Sequence, residues 1–413
     1  VAGRDKTEAV RQPRTAGDGP DGRTRVVVHI APTPFFANRG CHIRILNEYE
    51  ALRRAGIRVI VCTYGLGSDV ADVDIRRIWS IPGYRKTTAG FSPFKPLADV
   101  LLFFLCLRVV LHEHADIIHG HLHEGGLIGW CVKTALFWRR IPLIMDIQGS
   151  LSGELRAYGT FRHLPLLLRF FSWLERLILR LPDRIICSSR ASFAFIVDTS
   201  LVAEKDIEMV GDVVPASFFT VLDKRTQRER LQLASDGIIV IYSGSLLPGK
   251  GIDVLLESMR LVARSHPAIS FVLVGYPKEA VEQFLRVWDN APRVVLPGEV
   301  PYRRLAEWLA VADLAVDPKG SESGEASGKI LHYMASGLPV VCFSSENNRR
   351  FLGEHGFFAV GTSATDLALA MDLALTDERA RHIYGALGRE RAAAEYSQDA
   401  VGRQLRALYD SLA

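Results

Sequence analysis

The strongest constraint on this chain is a pattern that runs twice. Short apolar runs rich in β-formers alternate with longer stretches of helical periodicity. The first series holds RVVVHIA from Arg25, GIRVIVCTY from Gly56, a third strand over Val73–Trp79, ADIIHGH, IPLIMDI and DRIICSS. Helical patterns lie between them over Cys41–Ala55, Leu97–His114, Gly125–Trp138 and Leu164–Leu181. The strands are apolar throughout instead of alternating, which marks a parallel sheet covered on both faces by crossover helices. The pattern lapses from Asp212 to Ser235, where Pro215 and the charged run DKRTQRER stand. It resumes with GIIVIYSG, ISFVLVG, RVVLPG, ADLAVDP and LPVVCF, with helices over Ile252–Ala263, Lys278–Val287 and Tyr302–Ala310. The expectation is α/β: two Rossmann-like domains in tandem facing a cleft, with the boundary at Asp212.

Composition agrees with this and narrows the function. A chain of 413 residues with 48% apolar and 23% charged residues is ordinary globular material. Its net charge of +4 gives no case for nucleic acid as a partner. The six cysteines are scattered without a C-x-x-C pair, which reads as reduced thiols in a cytoplasmic protein. Residues 1–24 are rich in Gly, Pro, Arg and Asp, do not resemble a signal peptide, and read as a disordered tail. The greasy run Leu97–Leu111 is broken by Asp99 and Arg108 and is shorter than the roughly 20 residues a membrane span needs.

In doubly wound sheets the chemistry lies at the carboxyl ends of the strands. Three loops of the first series qualify: Pro32–Gly40, His119–Gly126 and Asp146–Gly153. In the second series, YSGSLLPGKGIDVLLESM leaves a strand and opens a helix, with Gly244, Gly249 and Lys250 spaced like the start of a P-loop. A P-loop needs Ser or Thr after its lysine to hold magnesium, and Gly251 stands there. SGEASGKILHYMASGLPVV puts small residues, Glu325 and Lys329 at the mouth of another helix, where bare amides and an ammonium suit phosphate.

Together these motifs resemble the family-4 retaining glycosyltransferases, which have the GT-B fold. YMASGLPVV matches the family's signature from Tyr333 to Val341, and SGKILHYMA fits a subset with a lysine near the phosphates. The resemblance spans roughly Arg25 to Leu412 and implies a C-terminal helix that crosses back to the first domain. The division it implies is 25–211 for an acceptor-side domain, 212–392 for a nucleotide-sugar domain and 393–413 for the returning helix.

The implied activity is transfer of a sugar from a nucleotide-sugar donor to a hydroxyl of a carbohydrate, lipid-linked or small-molecule acceptor, with retention. Lys250 and Lys329 then stabilise the departing diphosphate, and Glu325 accepts sugar hydroxyls. Gly244, Ser245, Gly251, Ser327, Gly328, His332, Gly40 and Gly298 fall on the donor side. Arg39, Gly149 and His123 fall on the acceptor side. Ser245 replaces an arginine common in the family, and His332 replaces the glutamate that usually holds ribose. Gln148 stands where many members have a histidine, and His119, His121 or His123 is expected to fill that role, with His121 named as catalytic. The His-x-His-x-His run also admits a metal reading, but the resemblance implies no metal and no resident cofactor. A rival of another class is a nucleotide-sugar-binding or scaffold protein with impaired catalysis.

One further stretch, LPLLLRFFSWLERLILRL over Leu164–Leu181, carries Arg162, Arg169, Arg176 and Arg180 at helical spacing. It reads either as a helix with a solvated arginine stripe, or as a peripheral contact with the inner face of a membrane through 164–181.

Overall fold

The computed structural model describes residues 23–37, 40–86, 92–152, 165–200, 202–320 and 327–412. Arg39 and Glu325, both expected in the site, lie outside the described residues, as do Arg162 and the tail.

Two all-parallel sheets carry the fold. The first has seven strands: β1 (Val26–Ala31), β2 (Arg58–Thr63), β3 (Ile75–Arg77), β4 (Ile117–His121), β5 (Leu143–Ile147), β6 (Arg184–Cys187) and β7 (Ile207–Met209). Their order in space is β3-β2-β1-β4-β5-β6-β7. The second has six: β8 (Ile239–Ser243), β9 (Ser270–Val274), β10 (Arg293–Gly298), β11 (Leu314–Asp317), β12 (Val340–Phe343) and β13 (Phe357–Ala359), in the order β10-β9-β8-β11-β12-β13. Strand order reverses between β1 and β4 in one sheet and between β8 and β11 in the other. Each reversal opens a crevice beyond the strands' carboxyl ends.

Burial explains the apolar runs. Every residue of β1, β4, β5 and β8 is buried. On one face of the first sheet, Val28 and Ile30 pack with Ala98, Leu102, Ile128 and Val132, from the helices Lys95–His112 and Leu122–Ala135. The helix Pro165–Ile178 continues that layer over Met145 and Ile185. On the opposite face, Val27 and Ala31 pack with Ile45 and Leu52 of the helix Gly40–Arg54 and with Leu405 and Tyr409 of the helix Gln398–Asp410. The last helix therefore returns to the first sheet. Its entry is fixed by a bridge between Val214 and Ser397, and by Ser397 capping the amide of Ala400. Gly402 makes the close approach possible: a Cβ there would lie 2.6 Å from the carbonyl oxygen of Ala51.

Two stretches differ from expectation. The helix read over Gly125–Trp138 begins at Leu122 and ends at Ala135, and Phe137–Arg139 form a separate 3-10 turn. The charged run after Asp212 is an ordered helix, Lys224–Arg230, capped by Asp223. Arg228 explains why it is ordered. Its buried guanidinium donates to the carbonyls of Val311, Ser235 and Gly237 and pairs with Asp313, so the segment docks on the second sheet.

Candidate active site

The two crevices face one another across a cavity of about 800 Å³. Its floor on the second sheet is built by β8, β11 and the helix Lys329–Ala335. Lys329 Nζ lies 3.2 Å from the buried carboxylate of Asp317, 3.4 Å from Tyr242 Oη and 4.6 Å above the Tyr242 ring. Burial works against the ammonium, but Asp317 and the neighbouring tyrosines outweigh it and hold its pKa above the ordinary lysine value. Gly244 makes room for this lysine, because a Cβ at that position would lie 3.3 Å from Lys329 Nζ. Beside it, the Ser327 hydroxyl is buried and has no hydrogen-bond partner among the described residues. Ser245, Lys250 and Gly328 line the same wall.

Three residues expected on the donor side sit differently. Gly251 does not line the cavity. At φ +80° it caps the helix Ile252–Ser265, and a Cβ would lie 2.1 Å from the Pro318 carbonyl oxygen, so its role is to let two backbones meet. Gly298 also lies behind the wall, accepting from the Gly275 amide at 3.0 Å, while the following Glu299 and Val300 reach the cavity. His332 does line it, but with one ring nitrogen already taken: Nε2 lies 2.7 Å from Tyr302 Oη. Burial lowers its pKa to about 4, so the ring is neutral at pH 7. It packs on Tyr302 and on Phe218, whose ring centroid lies 4.5 Å away.

The opposite wall comes from β1, β4 and β5. Gly40, Gln148, Gly149 and His123 line it. Gln148 Nε2 donates to Asp146 at 2.9 Å. His123 Nε2 lies 3.3 Å from Glu175 Oε1, without hydrogen-bond alignment. Glu175 also accepts from the amides of Leu151 and Ser152. Burial opposes its charge, yet His123 and these donors hold its pKa at about 2.

His121, named above as catalytic, does not reach the cavity. Residues 117, 119 and 121 of β4 face the helices Gly40–Arg54 and Gln398–Asp410, because side chains alternate along a strand. His121 is fully buried there, 3.2 Å from Asp146 and 3.0 Å from His29. The chain then turns at Leu122, at φ +62°, and delivers His123 to the cleft. Of the three alternating histidines, only His123 lines the cavity.

Arg44 was missed by the sequence reading, and it organises the acceptor wall. It pairs with Asp146 at 2.8 Å, Asp212 at 2.7 Å and Glu48 at 3.0 Å. Burial works to neutralise Asp146, but Arg44 and His121 prevail and hold its carboxyl far below the usual range. The available signal was polar Arg44, Asn47 and Glu48 at helical spacing among apolar neighbours. A solvated face would look the same in sequence.

Two facing parallel sheets, with a cationic floor on one and a polar wall on the other, have the architecture of the GT-B fold. Residues 237–377 match the model described as glycosyl transferases group 1, and residues 39–211 match the one described as glycosyl transferase 4-like domain. The chain belongs to the family-4 glycosyltransferases and is an enzyme acting on a nucleotide-sugar donor. It is 26% identical over 397 residues to a D-inositol 3-phosphate glycosyltransferase of Geodermatophilus obscurus, covering 91% of this chain and 85% of that one. Among solved structures it is similar to the sucrose-phosphate synthase of Thermosynechococcus elongatus, with TM-score 0.77, 19% identity and coverage of 94% and 99%. It is also similar to Anabaena Alr3699/HepE in complex with UDP and glucose, with TM-score 0.70, 16% identity and coverage of 93% and 99%.

Proposed function

We propose that this enzyme transfers a hexosyl group, with retention, from a nucleoside-diphosphate sugar bound on the second sheet to a hydroxyl held on the first. The observation that carries this is Lys329: a buried ammonium at the cavity floor, beside an unpartnered serine hydroxyl and a glycine-lined strand end. Negative charge grows on the leaving diphosphate in the transition state, and a preorganised cation there is worth most when water is excluded. Asp317 fixes the lysine before substrate arrives, so little reorganisation is required. Lys250, Ser327 and Gly328 complete the diphosphate site, and Gln148 and His123 position the acceptor hydroxyl. The bound UDP of the Anabaena relative makes uridine the first base to test, and the curated relative makes cyclitol phosphates the first acceptors. In this reading residues 25–211 take the acceptor, residues 212–392 hold the donor, and the transfer needs no resident cofactor. Lys329→Met is expected to lower kcat by about 100-fold or more and to weaken UDP binding by calorimetry. Unchanged turnover and affinity would remove the lysine from the site.

A second feature bears on where the acceptor is met. Among the described residues, no helix is long and apolar enough to cross a membrane. On the helix Pro165–Ile178, Leu166, Phe170, Trp173 and Leu177 form an exposed apolar stripe. Arg169, Arg176 and Arg180 are exposed beside it, while Glu175 points inward to the cleft. Leu97, Val100, Phe104 and Leu111 are likewise exposed on the helix Lys95–His112, in the same layer. An apolar stripe edged by cations, with no exposed acid among the described residues of the helix Pro165–Ile178, fits an anionic bilayer surface. We propose that this face rests on the cytoplasmic leaflet, where a lipid-linked acceptor would be presented. Vesicles containing anionic lipid should pellet the protein, and a Phe170→Glu/Trp173→Glu variant should stay in the supernatant. Equal pelleting of the two would remove the contact.

A further inference from the structure

Away from the cavity, the first sheet carries three imidazoles that the transfer reaction does not use. His29 of β1 pairs in register with His119 of β4, and His121 follows on the same face. All three are fully buried, with ring centroids 4.6 to 4.8 Å apart. Two of them are anchored at one nitrogen: His119 Nδ1 lies 2.7 Å from Tyr409 Oη, and His121 Nδ1 lies 3.2 Å from Asp146 Oδ2. His121 Nε2 shares a 3.0 Å hydrogen bond with His29 Nδ1, while Nε2 of His119 and Nε2 of His29 have no partner among the described residues. Glu48 lies alongside, and neither of its buried oxygens has a hydrogen-bond partner. Its charge contact is Arg44, which also serves Asp146 and Asp212, so three carboxylates face one guanidinium.

We propose that His29, His119 and His121 bind a structural divalent transition-metal ion of the zinc class, with a water as fourth ligand. Three features support this beyond proximity. First, a metal-binding histidine turns one nitrogen to the ion while a carboxylate or hydroxyl holds the other, as Asp146 and Tyr409 do here. Second, one candidate ligand atom from each histidine lies within 4.8 Å of those of the other two. Ligands at about 2.0–2.1 Å from a tetrahedral ion stand roughly 3.3 Å apart, so the 3.0 Å contact between His29 and His121 needs to open only by a few tenths of an ångström. Third, a cation offsets the surplus of carboxylate, and buried polar atoms without partners call for an ion or a water. An all-imidazole set in a core suits zinc better than magnesium or calcium, which take oxygen ligands. None of the three histidines lines the cavity, so the ion plays no part in the transfer. It ties β1 to β4, and through Tyr409 links both to the returning helix.

The test uses the full chain, stripped with a chelator and reloaded with cobalt(II). One equivalent should bind and give the strong visible absorption of a four-coordinate site. Zinc should displace it, and the melting temperature should rise on loading. His29→Gln and His119→Gln should each lose that absorption, whereas a His112→Ala/His114→Ala variant, altered at two exposed histidines, should keep it. If the buried variants fail to fold, the spectrum of the unaltered chain decides alone. Less than a tenth of an equivalent bound with an unchanged melting temperature would overturn the proposal. So would absorption that survives in His29→Gln and His119→Gln but disappears in the surface variant. Loss of metal with transfer intact, or the reverse, separates this inference from the reading of the cleft.

Discussion

Lys329 and His332 show how neighbouring side chains on one short helix take opposite electrostatic roles. Lys329 faces Asp317 and keeps its charge in a buried place. One turn on, His332 is buried against a tyrosine hydroxyl and gives its charge up. This has a measurable consequence. A histidine whose pKa is lower in the folded state favours the unfolded chain once it must be protonated. Its stabilising contribution is therefore complete above the ordinary value near 6.5 and fades as pH falls towards about 4. Stability measured by urea should drop across that window by up to about 3 kcal/mol from this group, and His332→Gln should flatten that part of the profile. A profile identical in the variant would mean that the ring is not held neutral. His332 also shows what a motif leaves open. Its position in the signature pointed to ribose, and the fold shows that Tyr302 already takes one of its ring nitrogens. Position along a helix does not say which partners have already taken a polar group.

Whole elements were legible where their periodicity was strong. β1, β2, β4, β5, β8, β9 and β12 fall within the apolar runs, because a strand buried on both faces has no freedom to be polar. The helix Lys224–Arg230 was not legible, since its charge run looks like a linker until Arg228 is seen to find three carbonyls and Asp313. The helix Pro165–Ile178 was legible as a helix with an arginine stripe. That Glu175, its one acid, turns inward to hold His123 needed the fold. Packing between elements gives its own test at Gly402, where the returning helix crosses Gly40–Arg54. A methyl group there meets the Ala51 carbonyl at 2.6 Å, so one backbone must move. Gly402→Ala is expected to cost about 1–3 kcal/mol in urea unfolding. A change below about 0.5 kcal/mol, typical of a surface site, would mean that the helices are less closely apposed.

At the scale of the molecule, the two sheets are joined by polar chains across the cavity. Asn47 Nδ2 donates to the Val213 carbonyl and to Tyr302 Oη, and Tyr302 donates to His332. A helix of the first sheet thereby touches the donor wall of the second. A double-mutant cycle of Asn47→Ala with Tyr302→Phe should give a coupling energy of about 0.5–1.5 kcal/mol in stability. Additive effects would show that the link is incidental. The sequence alone determined the two parallel sheets, the glycine-rich strand ends of the second, and the lysine at the mouth of its short helix. These follow from apolar runs, glycines and one ammonium at fixed spacing, all of them local properties of the chain. Only the tertiary structure decided which of three alternating histidines reaches the cavity, why Arg44 is charged in a core, and that His29 joins His119 and His121. Those facts depend on which strand face meets which helix, and residues brought together from Arg44, Asp146, Asp212 and Tyr409 share no local pattern that a linear reading could detect.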